Sequence, residues 1–239
     1  MAPLPSPAAP DALVVMVKSP RPGTVKTRLC PPLTPVESAS LYGCFLDDIA
    51  RELTDWGSPC DCWIAWADDE AEMPADLAGR FAGFRQVRQQ GDGLAARMDN
   101  VFDRLFRLGY QRVVMRNSDS PHLPLEHIDA ALAALRGTPG CVALGPDLDG
   151  GFYLVGLDAP PGDLFPRTLS TDSVCAETQQ RARAAGRPVT LLPTFLDVDT
   201  PDDLLTFWIE FGSRADVRHW ATWNALADGA LIARIQESE

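Results

Sequence analysis

The 239-residue chain is short of lysine: Lys18 and Lys26 are its only two, and the rest of its 21 basic residues are arginine. Histidine is almost as scarce. His122, His127 and His219 stand at no recognisable mutual spacing, which argues against a catalytic histidine. No Gly-x-Ser-x-Gly stretch is present, so a serine nucleophile has no support. "CDC" at Cys60–Cys62 has no second Cys-x-x-Cys to complete a zinc site, and three histidines do not supply one. With Cys30, Cys44, Cys141 and Cys175 they read as reduced thiols of a cytoplasmic protein. No apolar run approaches the ~20 residues of a membrane span. The opening "MAPLPSPAAPDA" lacks the basic and apolar regions of a signal peptide, and residues 1–11 are expected to be a disordered leader. Positive charge is also in deficit. A net charge of −12 argues against a protein that coats nucleic acid or docks on anionic membranes. An acidic chain can still bind a nucleotide if a few cations share one cleft or a divalent metal supplies the charge.

What is present is a steady alternation of apolar strands and amphipathic helices. Strands are expected at 12–17 ("ALVVMV"), 60–67, 84–89, 112–115, 141–145, 152–157 and around "VTLLP". Between them, Thr34, Pro35 and Glu37 spell a capping box with proline at the first helical position. Residues 93–109 carry Leu94, Met98, Val101, Leu105 and Leu108 at helical spacing, with Gly109 as the stop. Helices follow at about 125–135 and 173–186, and Thr200 with Pro201 and Asp203 opens another. This order predicts an α/β fold: one domain over residues 12–212, with a mostly parallel sheet flanked by helices. Residues 213–239 are expected as a helical extension with Trp220, Trp223 and Leu226 on one side, packed on the domain; a homodimer contact is the alternative.

Open α/β sheets bind ligands outside the carboxyl ends of their strands. Four chemically loaded segments follow strands here. In "VKSPRPGTVKTRL", Gly23 lets the loop turn amide groups toward an anion, and Lys18, Arg21, Lys26 and Arg28 supply cations. The bland alternative is a basic turn balancing an acidic surface. "NSDSPHLP" places Asp119 past a strand end, as a hard-oxygen ligand for Mg or Mn or as a helix cap. In "LDVDTPDD", Asp197 and Asp199 precede the Thr200 cap and are not needed for it, so one of them, Asp199 first, is the second candidate ligand. "DLDGG" at Asp149, Gly150 and Gly151 permits close approach of a substrate, or only a turn. Asp92 and Gly93, at a helix start, could receive a phosphate or ribose or serve as a cap. The D-x-D-x-T of haloacid-dehalogenase phosphatases is not matched by "DVDT", because Pro201 stands where the threonine would be and the motif follows the last strand.

Five ordered motifs, "VKSPRPGTVKTRL", "GDGLAARM", "NSDSPHLP", "LGPDLDGGFYLVGL" and "DVDTPDDL", resemble the GT-A-fold (nucleotide-diphospho-sugar transferase, Rossmann-like) family described as radical-SAM/selenium-associated or arsenosugar-biosynthesis glycosyltransferases. That family is related to the 2-phospholactate and molybdenum cofactor guanylyltransferases. The resemblance spans about residues 12–210. It implies that Lys18, Arg21, Gly23, Lys26, Arg28, Asp92 and Gly93 bind nucleotide, that Lys26 and Asp119 are catalytic, and that Asp119 and Asp199 hold Mg or Mn. Asp149, Gly150 and Gly151 would line the acceptor or sugar side. "DSP" departs from the D-x-D of many glycosyltransferases, so the second ligand has to come from elsewhere. The implied reaction is glycosyl transfer from a nucleotide-sugar to a small-molecule acceptor. The alternatives are nucleotidyl transfer from an NTP to a phosphorylated small molecule, and a non-catalytic nucleotide-binding module.

Overall fold

The computed structural model describes residues 4–67, 72–167 and 173–237. The chain has the expected α/β fold, and its domain consists of two compact units. The first unit holds the sheet. Seven strands, β1 (Asp11–Lys18), β2 (Asp61–Ala67), β3 (Arg85–Arg88), β4 (Arg112–Arg116), β5 (Val142–Pro146), β6 (Phe152–Leu157) and β7 (Val189–Leu191), lie in the order β3-β2-β1-β4-β6-β5-β7. β1 pairs with β4, β2 with β3 and β5 with β7 in parallel, whereas β6 runs antiparallel to both β4 and β5. Residues 147–151 explain the reversal. A parallel return needs a crossover of a dozen or more residues, so five can close only a hairpin.

Residues of period two feed the core from each strand. Ala12 and Val14 of β1, Val113 and Met115 of β4, and Val155 and Leu157 of β6 share one cluster with Met98, Val101, Phe102 and Leu105 of α3 (Gly93–Leu108). Met98, Val101 and Leu105 of the expected α3 stripe are buried, and the stripe departs from its sequence spacing only in the opening turn. Ala95 is buried and Leu94 is half exposed, since Leu94 sits in the opening turn, before the helix reaches the sheet. Gly109 closes α3 in a left-handed conformation at φ 104°. α4 (Leu125–Gly137) packs on β4, β5 and β6, and α5 (Val174–Ala184) packs on β5 and β7. A short α2 (Ala75–Arg80) was not expected from the sequence. Leu4–Pro10, part of the expected leader, is irregular. Its Ala8 N–H donates to Asp61 at 2.8 Å, and the Ser6 carbonyl accepts from Arg85 at 2.7 Å.

The second unit is helical: α1 (Pro35–Asp55), α6 (Pro201–Phe211), α7 (Ala221–Leu226) and α8 (Ala230–Glu237), with the loops of residues 18–34, 118–122 and 196–200. Both capping boxes form. The Thr34 N–H donates to Glu37 at 2.8 Å, and the Thr200 N–H donates to Asp203 at 2.7 Å. Buried Asp48 of α1 accepts from the Ala221 and Thr222 N–H groups at 2.6 and 2.8 Å, tying the start of α7 to α1. The tail is helical only from Ala221. Trp220 precedes the helix and stacks on Phe207 and Phe211, so the buried positions of α7 are Thr222 and Leu226.

Candidate active site

β1 and β4 are parallel neighbours, with Val15 opposite Arg116, and the chain therefore leaves their carboxyl ends side by side. The two following loops meet a third, ahead of α6, inside the second unit. The Val198 N–H donates to the Asp119 carbonyl at 2.9 Å, which lays the two acidic loops against each other. The α6 capping box fixes the approach: Asp203 accepts from the N–H of Asp199 at 3.1 Å as well as from that of Thr200. Asp199 therefore stands directly before the cap, and Asp119 is no cap at all, because α4 opens behind Pro124.

Lys26 enters between these carboxylates. Its side chain is only 2% exposed, and its ammonium donates to Asp119 Oδ1 and, at 2.7 Å, to Asp199 Oδ1. Its Nζ also lies 5.4 Å from the Phe45 ring centroid, within cation–π range. Burial is the strongest single influence on this amine and works against the charge. Together, Asp119 and then Asp199 outweigh it and hold the ammonium well above the usual lysine range. Lys26 is also the one non-glycine residue with positive φ among those described (φ 47°, ψ 39°), a left-handed conformation costing about 1–2 kcal/mol. The 3-10 turn Thr27–Leu29 follows at once. Arg28, largely exposed, reaches within 4.0 Å of Asp199 Oδ2.

Two neighbouring contacts brace the loops. Ser120 donates its hydroxyl to Asp197 Oδ1, so Asp197 is engaged by serine while Asp199 meets the ammonium. Tyr42 of α1 pairs with Ser118 at 2.8 Å and accepts the Lys18 N–H at 3.2 Å, joining the ends of the lysine and aspartate loops. Burial pushes the Tyr42 phenol up to about 12, so it stays neutral. The sequence reading missed Tyr42. Its signal was a polar-tipped ring on the apolar face of α1, between Leu41 and Phe45, where a hydroxyl needs a partner.

The remaining expected site residues divide between the units. Lys18 at the end of β1, and Arg21 and Gly23 on the loop that leads to Lys26, are exposed, with Gly23 at φ 77°. The two lysines are thus unlike: one in solvent, one buried. In the first unit, Asp92 occupies the N-cap of α3, but its side chain makes no capping bond, and Gly93 beside it has φ 82°. Asp149, Gly150 and Gly151 form the β5–β6 hairpin. The Gly151 N–H donates to Asp147 Oδ1 at 2.7 Å, and a Cβ there would stand 2.6 Å from Asp147 Oδ2. The glycine pair therefore has a turn-forming role of its own.

Among the described residues no group of three or more His, Cys, Asp or Glu side chains could hold a metal by itself. Asp119 and Asp199 nevertheless fit one. Magnesium-type ions commonly take one or two carboxylates and fill their octahedron with water and substrate phosphate. Here a protein cation already stands between the two oxygens, which shows that the pair is spaced to share a positive charge.

Residues 55–169 match the family described as "Uncharacterized protein conserved in bacteria (DUF2064)". A protein of Desulfovibrio desulfuricans G20, described as a "putative nucleotide-diphospho-sugar transferase", is 30% identical and superposes with a TM-score of 0.85, over 96% of this chain and 98% of its own. The chain belongs to the DUF2064 family. More distant structures share the fold. A cytidylyltransferase of Leptospira borgpetersenii is 12% identical over 96% of this chain and 95% of its own, with a TM-score of 0.54. The mannosyltransferase PcManGT of Pyrobaculum calidifontis, solved with GDP-Man and Mn2+, is 9% identical over 98% of this chain and 76% of its own, with a TM-score of 0.52. No curated protein matches the DUF2064 chain in sequence.

Proposed function

We propose that this DUF2064 protein is a metal-assisted transferase that takes a nucleotide-sugar donor and moves the sugar to a small-molecule acceptor, with Mg or Mn held by Asp119 and Asp199. The observation that carries the reading is the convergence of those two carboxylates, 80 positions apart in the chain, on one buried ammonium. The 30%-identical relative, described as a "putative nucleotide-diphospho-sugar transferase", supports the same class. So does the order of the five sequence motifs, which resembles the radical-SAM/selenium-associated and arsenosugar transferases.

In such a transfer the bond between the sugar carbon and the terminal donor phosphate breaks. An acceptor oxygen takes the carbon and loses its proton, and a nucleoside diphosphate leaves. A divalent ion, when bound, neutralises charge on the departing diphosphate. The chain's own contribution is a pair of carboxylates and four cations from one segment: Lys18, Arg21 and Arg28 exposed to solvent, Lys26 buried. Such preset charges act where charge develops, without reorganising in the transition state. Asp92 and Gly93 are assigned to the nucleotide and Asp149–Gly151 to the acceptor or sugar on their motifs.

That cation set also favours a second reading, nucleotidyl transfer, in which a substrate phosphate attacks the α-phosphate of an NTP and pyrophosphate leaves. One assay separates the two. The purified protein is incubated with Mn2+, a pool of hydroxylated and phosphorylated small-molecule acceptors, and panels of nucleotide-sugars and NTPs, and nucleoside diphosphate and pyrophosphate are quantified. Nucleoside diphosphate released from one sugar donor, reduced by roughly 100-fold in Asp119→Asn, supports glycosyl transfer. Pyrophosphate from an NTP, with no sugar donor consumed, replaces it by nucleotidyl transfer. Neither product, with no nucleotide bound, overturns both.

A further inference from the structure

A divalent ion that took Asp119 and Asp199 through the Oδ1 atoms that Lys26 now holds would displace the ammonium from its present contacts. Lys26 stands with one N–H toward each Oδ1, at the point that the two oxygens share. Two carboxylates and one ammonium leave a single net negative charge. A divalent ion added beside the ammonium would make the cluster positive and bring two cations together, at a cost that the one-third exposure of the carboxylates lowers but does not remove. Removing the ammonium without a new anion would instead leave a buried charge unpaired, which is also disfavoured. The arrival of an anion with the metal resolves both conflicts. A diphosphate carries the compensating charge, and the segment that bears Lys26 already shows Lys18, Arg21 and Arg28 to solvent.

We propose, on the footing of the transferase reading above, that Lys26 has two working positions: resident counter-ion of the Asp119–Asp199 pair in the free protein, and diphosphate ligand once metal and diphosphate arrive together. The metal site is then closed by the protein's own cation until the donor's anion opens it, and the two ligands bind with positive coupling. The backbone is consistent with a residue that moves. Lys26 holds a left-handed conformation that L-residues seldom adopt, of the kind that clusters at switch regions. It is preceded by a loop with Gly23 at φ 77°, and the ordered 3-10 turn begins only at Thr27.

The chain's lysine scarcity supplies the test. Protein labelled with 13C at lysine Cε gives two side-chain signals, Lys18 and Lys26, assigned with Lys18→Arg. The probes are Mg2+ alone, pyrophosphate alone and both together, with pyrophosphate binding followed independently by calorimetry. The proposal expects the Lys26 signal to stay in place with Mg2+ alone and to shift when Mg2+ and pyrophosphate are both present. An equal shift with Mg2+ alone overturns the coupling. Calorimetric binding with an unmoved Lys26 signal overturns the two positions and leaves the transferase reading standing. No binding of pyrophosphate or of any nucleotide with Mg2+ overturns that reading and this proposal with it.

A second arm follows Mn2+ by its electron paramagnetic resonance without diphosphate. Lys26→Met, lacking the resident cation, is expected to bind Mn2+ at least about tenfold more tightly than the unmodified chain. Equal affinities overturn the proposal. The labelling arm needs no change at Lys26 and decides the matter should that variant fail to fold.

Discussion

At the scale of single residues, the Lys26 ammonium is a buried charge held by two carboxylates. Breaking a fully buried ion pair by removing one partner costs about 3–5 kcal/mol, because the other charge is left uncompensated. Asp119 and Asp199 are each about a third exposed, so water screens part of that loss. Lys26→Met is therefore expected to lower stability by about 2–3 kcal/mol. Adding Asp119→Asn to it should restore about 1 kcal/mol or more, since one of the two facing carboxylates is then neutral. Urea unfolding in the presence of EDTA measures both, with equal slopes showing that the midpoints report stability. Additive losses would mean that the three charges do not act as one cluster. None of this pairing could be read from spacing. Lys26 lies 93 positions from Asp119 and 173 from Asp199, and each looked complete alone, one as a phosphate cation and the others as metal ligands. The sequence singled out Lys26, Asp119 and Asp199, but not that the ammonium pairs with both carboxylates.

At the scale of elements, the caps carried most of what was legible. Thr34-Pro35-x-Glu37 and Thr200-Pro201-x-Asp203 each specify a start to within a residue, because only side chains at those offsets satisfy the first free amides. Glu37 does more than cap. The Thr34 N–H first, and then Arg234 of α8 at 2.6 Å, hold its carboxyl down at about 2. An unfolded glutamate titrates near pH ~4.3. The depressed value makes Glu37 a source of stability that is fully present above that pH and lost as pH falls through 2. Glu37→Gln should therefore flatten the fall in melting temperature between about pH 4.5 and 2 without changing the fold. A parallel decline in both proteins would show that the capping carboxylate does not govern that limb. Strand identity was legible from apolar runs, but direction was not sought where it could have been found. The five-residue link before β6 already dictates a hairpin. The short α2 carries little apolar periodicity, which is why pattern alone did not show it.

At the scale of the whole molecule, a net charge of −12 and a cluster of exposed cations on one loop make opposite demands on a ligand. A polyanion such as DNA meets the total charge over its length, and its affinity would require many phosphate contacts that an acidic surface does not offer. A small diphosphate can be contained within one loop and needs only its local cations and a metal. The two cases differ in what they do to folding stability, because a ligand that binds only the folded state stabilises it by about 2.7 kcal/mol at a hundredfold excess over its Kd. For a chain of this length that corresponds to a rise in melting temperature of about 5–10 °C. A nucleotide or nucleotide-sugar with Mn2+ is expected to produce a shift of that size, and duplex DNA at physiological salt to produce none. Asp119→Asn should abolish the nucleotide shift measured against its own ligand-free melting point, which separates lost binding from lost stability. A full shift retained in that variant would remove Asp119 from the nucleotide and metal site. A shift with DNA would show that the distribution of charge, and not its sum, governs what this protein binds.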